Sequence, residues 1–287
     1  MPVNSQGTSC QIRIPDLYEI MVIASCLNTL RATGKWVIQT STATGQVSLL
    51  MVDILRSMWR YKLRWKLFME QLLFVGVRSQ FVVLTTGAFT GAVFAAQVHF
   101  QFVRLGMESA VGPVVSVAMC RELGAVLSCL LIAGRVGAAM AAEISSMKIT
   151  EQVDALRSMG VYPIEYLVVP RFLALTISAP ILTGLALITG IGCGYLVAVP
   201  ILGVDGAYYL ENTIKFTGAS DVMIGLTKGT LFGVIISIIS CHKGLNPEMG
   251  TAGVGKTTTE AVVNASLAIL VSNFFFTFLL NNLFLDS

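Results

Sequence analysis

Charged residues are spaced along this chain so that long apolar runs lie between them. Arg78 and Arg104 bracket 25 uncharged residues, Arg171 and Asp205 bracket 33, and Glu260 and Asp286 bracket 25. A helix needs about 20 apolar residues to cross a bilayer, because backbone groups in hydrocarbon must find their hydrogen bonds within the segment. These runs predict crossings at about 79–103, 172–200 and 261–283. A fourth, 222–241, is interrupted only by Lys228, and a fifth, 111–142, carries Arg121, Glu122 and Arg135 with Glu143 just beyond it. The pattern predicts an all-α integral membrane protein with about five transmembrane helices in residues 71–287, after a cytoplasmic or interfacial segment of residues 1–70.

The cations give an orientation, since lysine and arginine are retained on the cytoplasmic side. Residues 1–78 hold nine of them; Lys148, Arg157, Arg171, Lys243 and Lys256 raise that side to 14, against Arg104 and Lys215 on the other. The N-terminus is therefore expected in the cytoplasm and the C-terminus outside. The apolar stretch 20–27 is too short and too late for a secretory signal, and lacks a strongly basic region before it. Residues 47–66 mix apolar side chains with Trp59, Tyr61, Trp65 and several cations, the composition of a helix lying among lipid headgroups.

Charges inside the second span are costly at membrane depth and mark a bundle interior or a wet cavity. At 100° per residue, with Arg121 as zero, Glu122 falls at about 100°, Arg135 at about −40° and Glu143 at about +40°. All four fall within about 140° of arc, so one side of this helix is expected to be polar. Gly134, Gly137, Ala138, Ala141 and Ala142 between these charges allow close helix approach. The following segment, residues 148–160, reads as a short amphipathic helix capped by Thr150 and ended by Gly160. Ile149, Val153 and Leu156 make its apolar face, and a two-faced helix between spans suits docking of a partner. Pro180 and the glycines at 184, 190, 192 and 194 predict a bent or loosened third span.

Composition narrows the class further. The chain is 55% hydrophobic and 12% charged with mean hydropathy +0.77, against roughly 25% charged in soluble domains. A net charge of +3 supplies no dense basic field, so nucleic acid is not an expected partner. Cys10, Cys26, Cys120, Cys129, Cys193 and Cys241 lack metal or redox spacing and read as packing residues, and so does His99. GTAGVGKT at 250–257 satisfies the phosphate-loop pattern, which has chemical meaning only between a strand and a helix of a nucleotide-binding sheet. Here it lies between two membrane spans and is expected to be a glycine-rich cytoplasmic turn.

The run from Arg121 to Arg171, RELGAVLSCLLIAGRVGAAMAAEISSMKITEQVDALRSMGVYPIEYLVVPR, resembles the signature of MlaE-like permeases of MCE-associated ABC lipid transporters. GAFTGAVFAAQ in the first span and TAGVGKTTTEAVVNASLAIL near the C-terminus extend the likeness to roughly residues 71–280. The resemblance implies a subunit of the bacterial inner membrane that pairs with a second copy of itself, a cytoplasmic ABC ATPase and an MCE-domain protein on the outer side. It implies that ATP and magnesium belong to the ATPase and that this chain carries no cofactor and no catalytic residue. It places Gln97, Arg121 and Glu122 near a lipid cavity, and coupling to the ATPase at Glu143, Lys148, Glu151, Val153, Asp154 and Leu156. The competing reading from the charges alone is an ion-coupled secondary transporter or channel, which the absence of an evident internal repeat disfavours.

Overall fold

The computed structural model describes residues 31, 34, 35, 38, 41 and 42, residues 45–59, and residues 64–285 apart from Met249. Cys10, Cys26 and the stretch 20–27 lie outside them. The chain divides into two compact units, Met1–Leu49 and Leu50–Ser287. In the first, the described residues are helical. The second contains α1 (residues 50–59), α2 (Trp65–Val103), α3 (Glu108–Ile149), α4 (Gln152–Ser158), α5 (Ile164–Ala198), α6 (Gly206–Phe216), α7 (Ala219–Leu245) and α8 (Thr251–Leu285). The described residues contain no strand.

Five of these helices, α2, α3, α5, α7 and α8, are long and apolar enough to cross a membrane. Each is longer than the span predicted for it, although α5 ends at Ala198, short of the predicted residue 200. The charged ends, such as residues 65–78 of α2, belong to the same continuous helix. In α1, Leu50 and Ile54 stand one turn apart and are buried, while Val52, Leu55 and Trp59 remain exposed, the last at 94%. A further helix, α6, was not expected from the sequence. Asp205 caps it by accepting from Ala207 N at 2.8 Å and Tyr208 N at 3.4 Å, and Tyr209 is its buried anchor.

Helices α2 and α5 run side by side in the same direction and meet through small residues. A Cβ at Gly91 would sit 2.0 Å from the Gly190 carbonyl oxygen, and one at Gly87 would sit 2.9 Å from that of Ala186. Gly87 and Gly91 are four apart, as are Ala186 and Gly190, the spacing that lets membrane helices touch backbone to backbone. Helix α5 stays helical through Pro180. Helix α7 is the central element, and Phe232 and Ile236 on it are fully buried among residues of α2, α3, α5 and α8. Large apolar residues such as Phe81, Phe89, Ile188, Phe274 and Phe278 are exposed on the outer surface, where acyl chains would cover them.

Candidate functional site

The polar chemistry at membrane depth starts from a departure from the ideal helix. Residues Met119–Leu123 and Ala133–Gly137 of α3 form π-turns, each inserting about one extra residue and rotating the rest of the helix by about 100°. The straight-helix angles therefore fail, and the four charges face different neighbours. Arg121 Nε donates to Asp221 Oδ1 at 2.6 Å. Glu122 meets Lys228, Asn273 and Thr277. Arg135 is exposed, and Glu143 pairs with Arg171 on α5 at 2.9 Å.

Asp221 serves two elements. Its Oδ2 accepts from Gly218 N at 2.9 Å, closing the N-terminus of α7, while Oδ1 holds Arg121. Two turns further along α7, Lys228 is fully buried and all three of its donors are used. They reach the Arg121 carbonyl at 2.8 Å, Glu122 Oε1 at 2.8 Å and Thr277 Oγ1 at 2.7 Å. In the widened π-turn Gly124 N–H bonds back to Met119, and the Arg121 carbonyl within it accepts from the lysine. Gly225 allows this approach, since a Cβ there would lie 2.3 Å from the Cys120 carbonyl oxygen.

Glu122 is the open end of this network. Asn273 Nδ2 donates to its Oε2 at 2.9 Å, the Thr277 hydroxyl lies 2.8 Å from its Oε1, and its side chain keeps 37% exposure. It faces a groove of about 560 Å³ floored by Glu122, Asn273, Thr277 and Asn281, with Phe274 and Phe278 along the rim. The asparagines and threonine recur every four residues of α8, so one helical face carries them all. Such a groove can hold a polar group against amides and a balanced ion pair while leaving an apolar portion beside the phenylalanines. Gln97 is exposed on α2, and among the described residues no hydrogen bond joins it to Arg121 or Glu122. Sequence reasoning treated Lys228 as an interruption of its span and missed Asp221, Asn273 and Thr277.

The second set of candidate residues surrounds α4. Lys148 Nζ donates to both Asp154 carboxylate oxygens, at 2.9 and 2.8 Å, and Arg157 reaches Asp154 at 3.3 Å. The lysine holds the Asp154 carboxyl below its usual range. Helix α4 ends as expected at Gly160, φ +74°. Gly160 N bonds the Arg157 carbonyl and Val161 N bonds that of Leu156, the two bonds of a Schellman close. Its start differs from expectation. Thr150 does not cap it, because its hydroxyl bonds back to the Ser146 carbonyl at 2.9 Å; Glu151, at φ +58°, turns the corner instead. Val153 is fully buried within the chain and Leu156 half-buried. Val153 therefore seats α4, and the face open to a partner is formed by Ala155, Ser158 and Met159.

The phosphate-loop pattern is helical rather than a turn. From Thr251 onward its residues belong to α8, so from Gly255 on their amides are spent on the carbonyls four residues back and cannot cradle a phosphate. The positive-φ turn is confined to Gly250, and Lys256 pairs with Glu248. The His99 ring is buried and packs edge-on against Phe100.

A family model described as Permease MlaE matches residues 68–279. The chain is 44% identical over 254 residues to a probable ABC transporter permease protein of Rickettsia typhi, covering 88% of this chain and 98% of that one. It is 44% identical over 212 residues to a probable ABC transporter permease protein of Synechocystis, covering 74% and 81%. The chloroplast protein TRIGALACTOSYLDIACYLGLYCEROL 1 of Arabidopsis thaliana is 35% identical over 213 residues, 74% of this chain and 61% of that protein.

Proposed function

The chain belongs to the MlaE permease family and is a permease subunit of an ABC transporter, and on that premise we propose that its cargo is phospholipid or a related lipid. In this reading two copies form the transmembrane unit in a bacterial inner membrane. A separate cytoplasmic ATPase supplies the energy, and an MCE-domain lipid-binding protein stands on the outer side. The observation that carries the lipid reading is the groove beside Glu122. It brings a carboxylate and the amides of Asn273, Asn281 and Asn282 together with the exposed rings of Phe274 and Phe278. An amphiphile fits such a place, since its head replaces water on the polar floor while its tails stay in hydrocarbon. The name of the Arabidopsis relative, which contains a diacylglycerol lipid, agrees with this reading.

The direct test is reconstitution in vesicles. Lipid transfer is expected only when the ATPase and ATP are added; flux driven by an ion gradient on the permease alone would overturn the proposal in favour of a secondary transporter.

The side bearing α4 is proposed to be cytoplasmic and to dock the ATPase through the exposed face of α4. Ala155→Asp with Met159→Asp should release the ATPase in co-purification while the permease keeps its elution profile. Val153→Asp should instead disturb the α3–α4 corner itself. Retention of the ATPase by the Ala155 and Met159 variant would remove α4 from the contact. Lys256→Ala is expected to leave ATP affinity of the assembled complex unchanged, measured by nucleotide photo-labelling, because from Gly255 on the helical amides are already bonded within α8 and Lys256 is paired with Glu248. A loss of labelling on this chain would contradict that conformation.

A further inference from the structure

A second groove, of about 670 Å³, lies on the α4 side of the membrane between α2 and α3, far along α3 from Glu122. From α2 it takes Glu70, Leu73, Phe74, Val77 and Arg78, and from α3 Ala139 and Glu143. Arg78 immediately precedes the 25 uncharged residues of the first span, so this groove lies at the boundary between headgroups and hydrocarbon. The two carboxylates differ. Glu143 is neutralised by the buried Arg171 at 2.9 Å, whereas Glu70 is exposed and has no ion pair among the described residues.

Arg78 is exposed, and its guanidinium stands 5.6 Å from the centre of the Phe74 ring, which steers the cation along the groove wall. One turn from Ala139 toward the membrane centre, Arg135 is also exposed and has neither ion pair nor hydrogen bond among the described residues. An arginine within a membrane span is costly without an anion or water to meet it. Leu73 and Val77, each 60% exposed, complete an apolar wall on the lipid side.

Along the membrane normal the order is thus acid at Glu70 on the headgroup side, then cation at Arg78, then hydrocarbon. A zwitterionic aminophospholipid has the same order, with ammonium outermost, phosphate next and acyl chains innermost. We propose that this groove binds an aminophospholipid of the leaflet on the α4 side, with its phosphate on Arg78, its ammonium on Glu70, its headgroup and glycerol beside Leu73 and Val77, and its chains continuing past Arg78 along the uncharged part of α2. The site is separate from the groove beside Glu122 and holds lipid whether or not the protein is transporting.

The test places a benzophenone amino acid at Leu73 of the full chain, in vesicles of equal phosphatidylethanolamine and phosphatidylglycerol, and identifies adducts by mass. The wild-type background should capture phosphatidylethanolamine in clear excess. Arg78→Gln should lower total lipid adduct about tenfold, with Arg78→Lys retaining most of it, and Glu70→Gln should erase the preference between the two lipids. Glu122→Gln should leave the adduct unchanged. Capture of a second copy or of another protein at Leu73, equal capture of both lipids without any substitution, or an Arg78→Gln yield equal to the parent's would each overturn the proposal. Loss of the adduct on Glu122→Gln would also overturn it, by showing that the lipid at Leu73 is cargo in passage.

Discussion

Lys228→Ala is expected to unfold the bundle before it impairs transport. The ammonium is fully buried and supplies one hydrogen bond to each of three groups, the Arg121 carbonyl, Glu122 and Thr277. Removing it leaves Glu122 without its cation and opens a void between α3, α7 and α8. Breaking a buried pair by deleting one partner costs about 3–5 kcal/mol, more than the roughly 0.6 kcal/mol of an ordinary hydrogen bond between membrane helices. A fall in melting temperature of about 10 °C or more is expected, read by thermal unfolding of the purified complex. Lys228→Met combined with Glu122→Gln removes both charges at nearly constant volume and should recover most of that stability without recovering lipid capture. A Lys228→Ala protein that melts with the parent would show that the network contributes nothing to the fold.

Gly91→Ala should be the most damaging single methyl group in the molecule. The added Cβ would meet the Gly190 carbonyl oxygen at 2.0 Å, its carbon at 2.5 Å and its Cα at 2.6 Å. All three are backbone atoms, so no side chain can swing away and α2 must separate from α5 along their shared face. Overpacking typically costs about 1–3 kcal/mol where side chains can yield, and this site lacks that relief. Folded protein recovered by size exclusion is expected to fall at least tenfold. Gly192→Ala is the matched control, since its Cβ would have nothing within 4 Å and its yield should equal the parent's. Equal yields for the two alanine variants would contradict the backbone-to-backbone crossing.

Much of this architecture is legible in where charges are missing. The runs after Arg78, Arg171 and Glu260 place three spans, and tolerance of a few charges places the other two. What the runs do not reveal is partnership. Arg171 counts as a loop cation by position, yet it is buried on α5 against Glu143. Lys228 reads as a flaw in an apolar stretch, yet it is the counter-charge of a carboxylate 106 residues away. Periodicity describes one helix at a time and is silent on which neighbour a side chain meets.

It also assumes a constant turn. The π-turns at Met119–Leu123 and Ala133–Gly137 break that assumption at the charged residues, so angles computed for a straight α3 align groups that diverge in the structure. Local signals fare unevenly for the same reason. Gly160 ends α4 through its own backbone conformation. Thr150 offers its hydroxyl to two sites, and the Ser146 carbonyl of the preceding turn wins.

In the proposed reading of the groove, Glu122 faces lipid. A photoreactive residue in place of Phe274, on the rim of the groove, should give a covalent phospholipid adduct in the assembled complex, and Glu122→Gln combined with Lys228→Met, which leaves no unpaired buried charge, should reduce that adduct at least tenfold while copy-to-copy assembly is retained. A correctly assembled complex that yields no lipid adduct from position 274, or yields the same adduct with and without the Glu122 carboxylate, would contradict it.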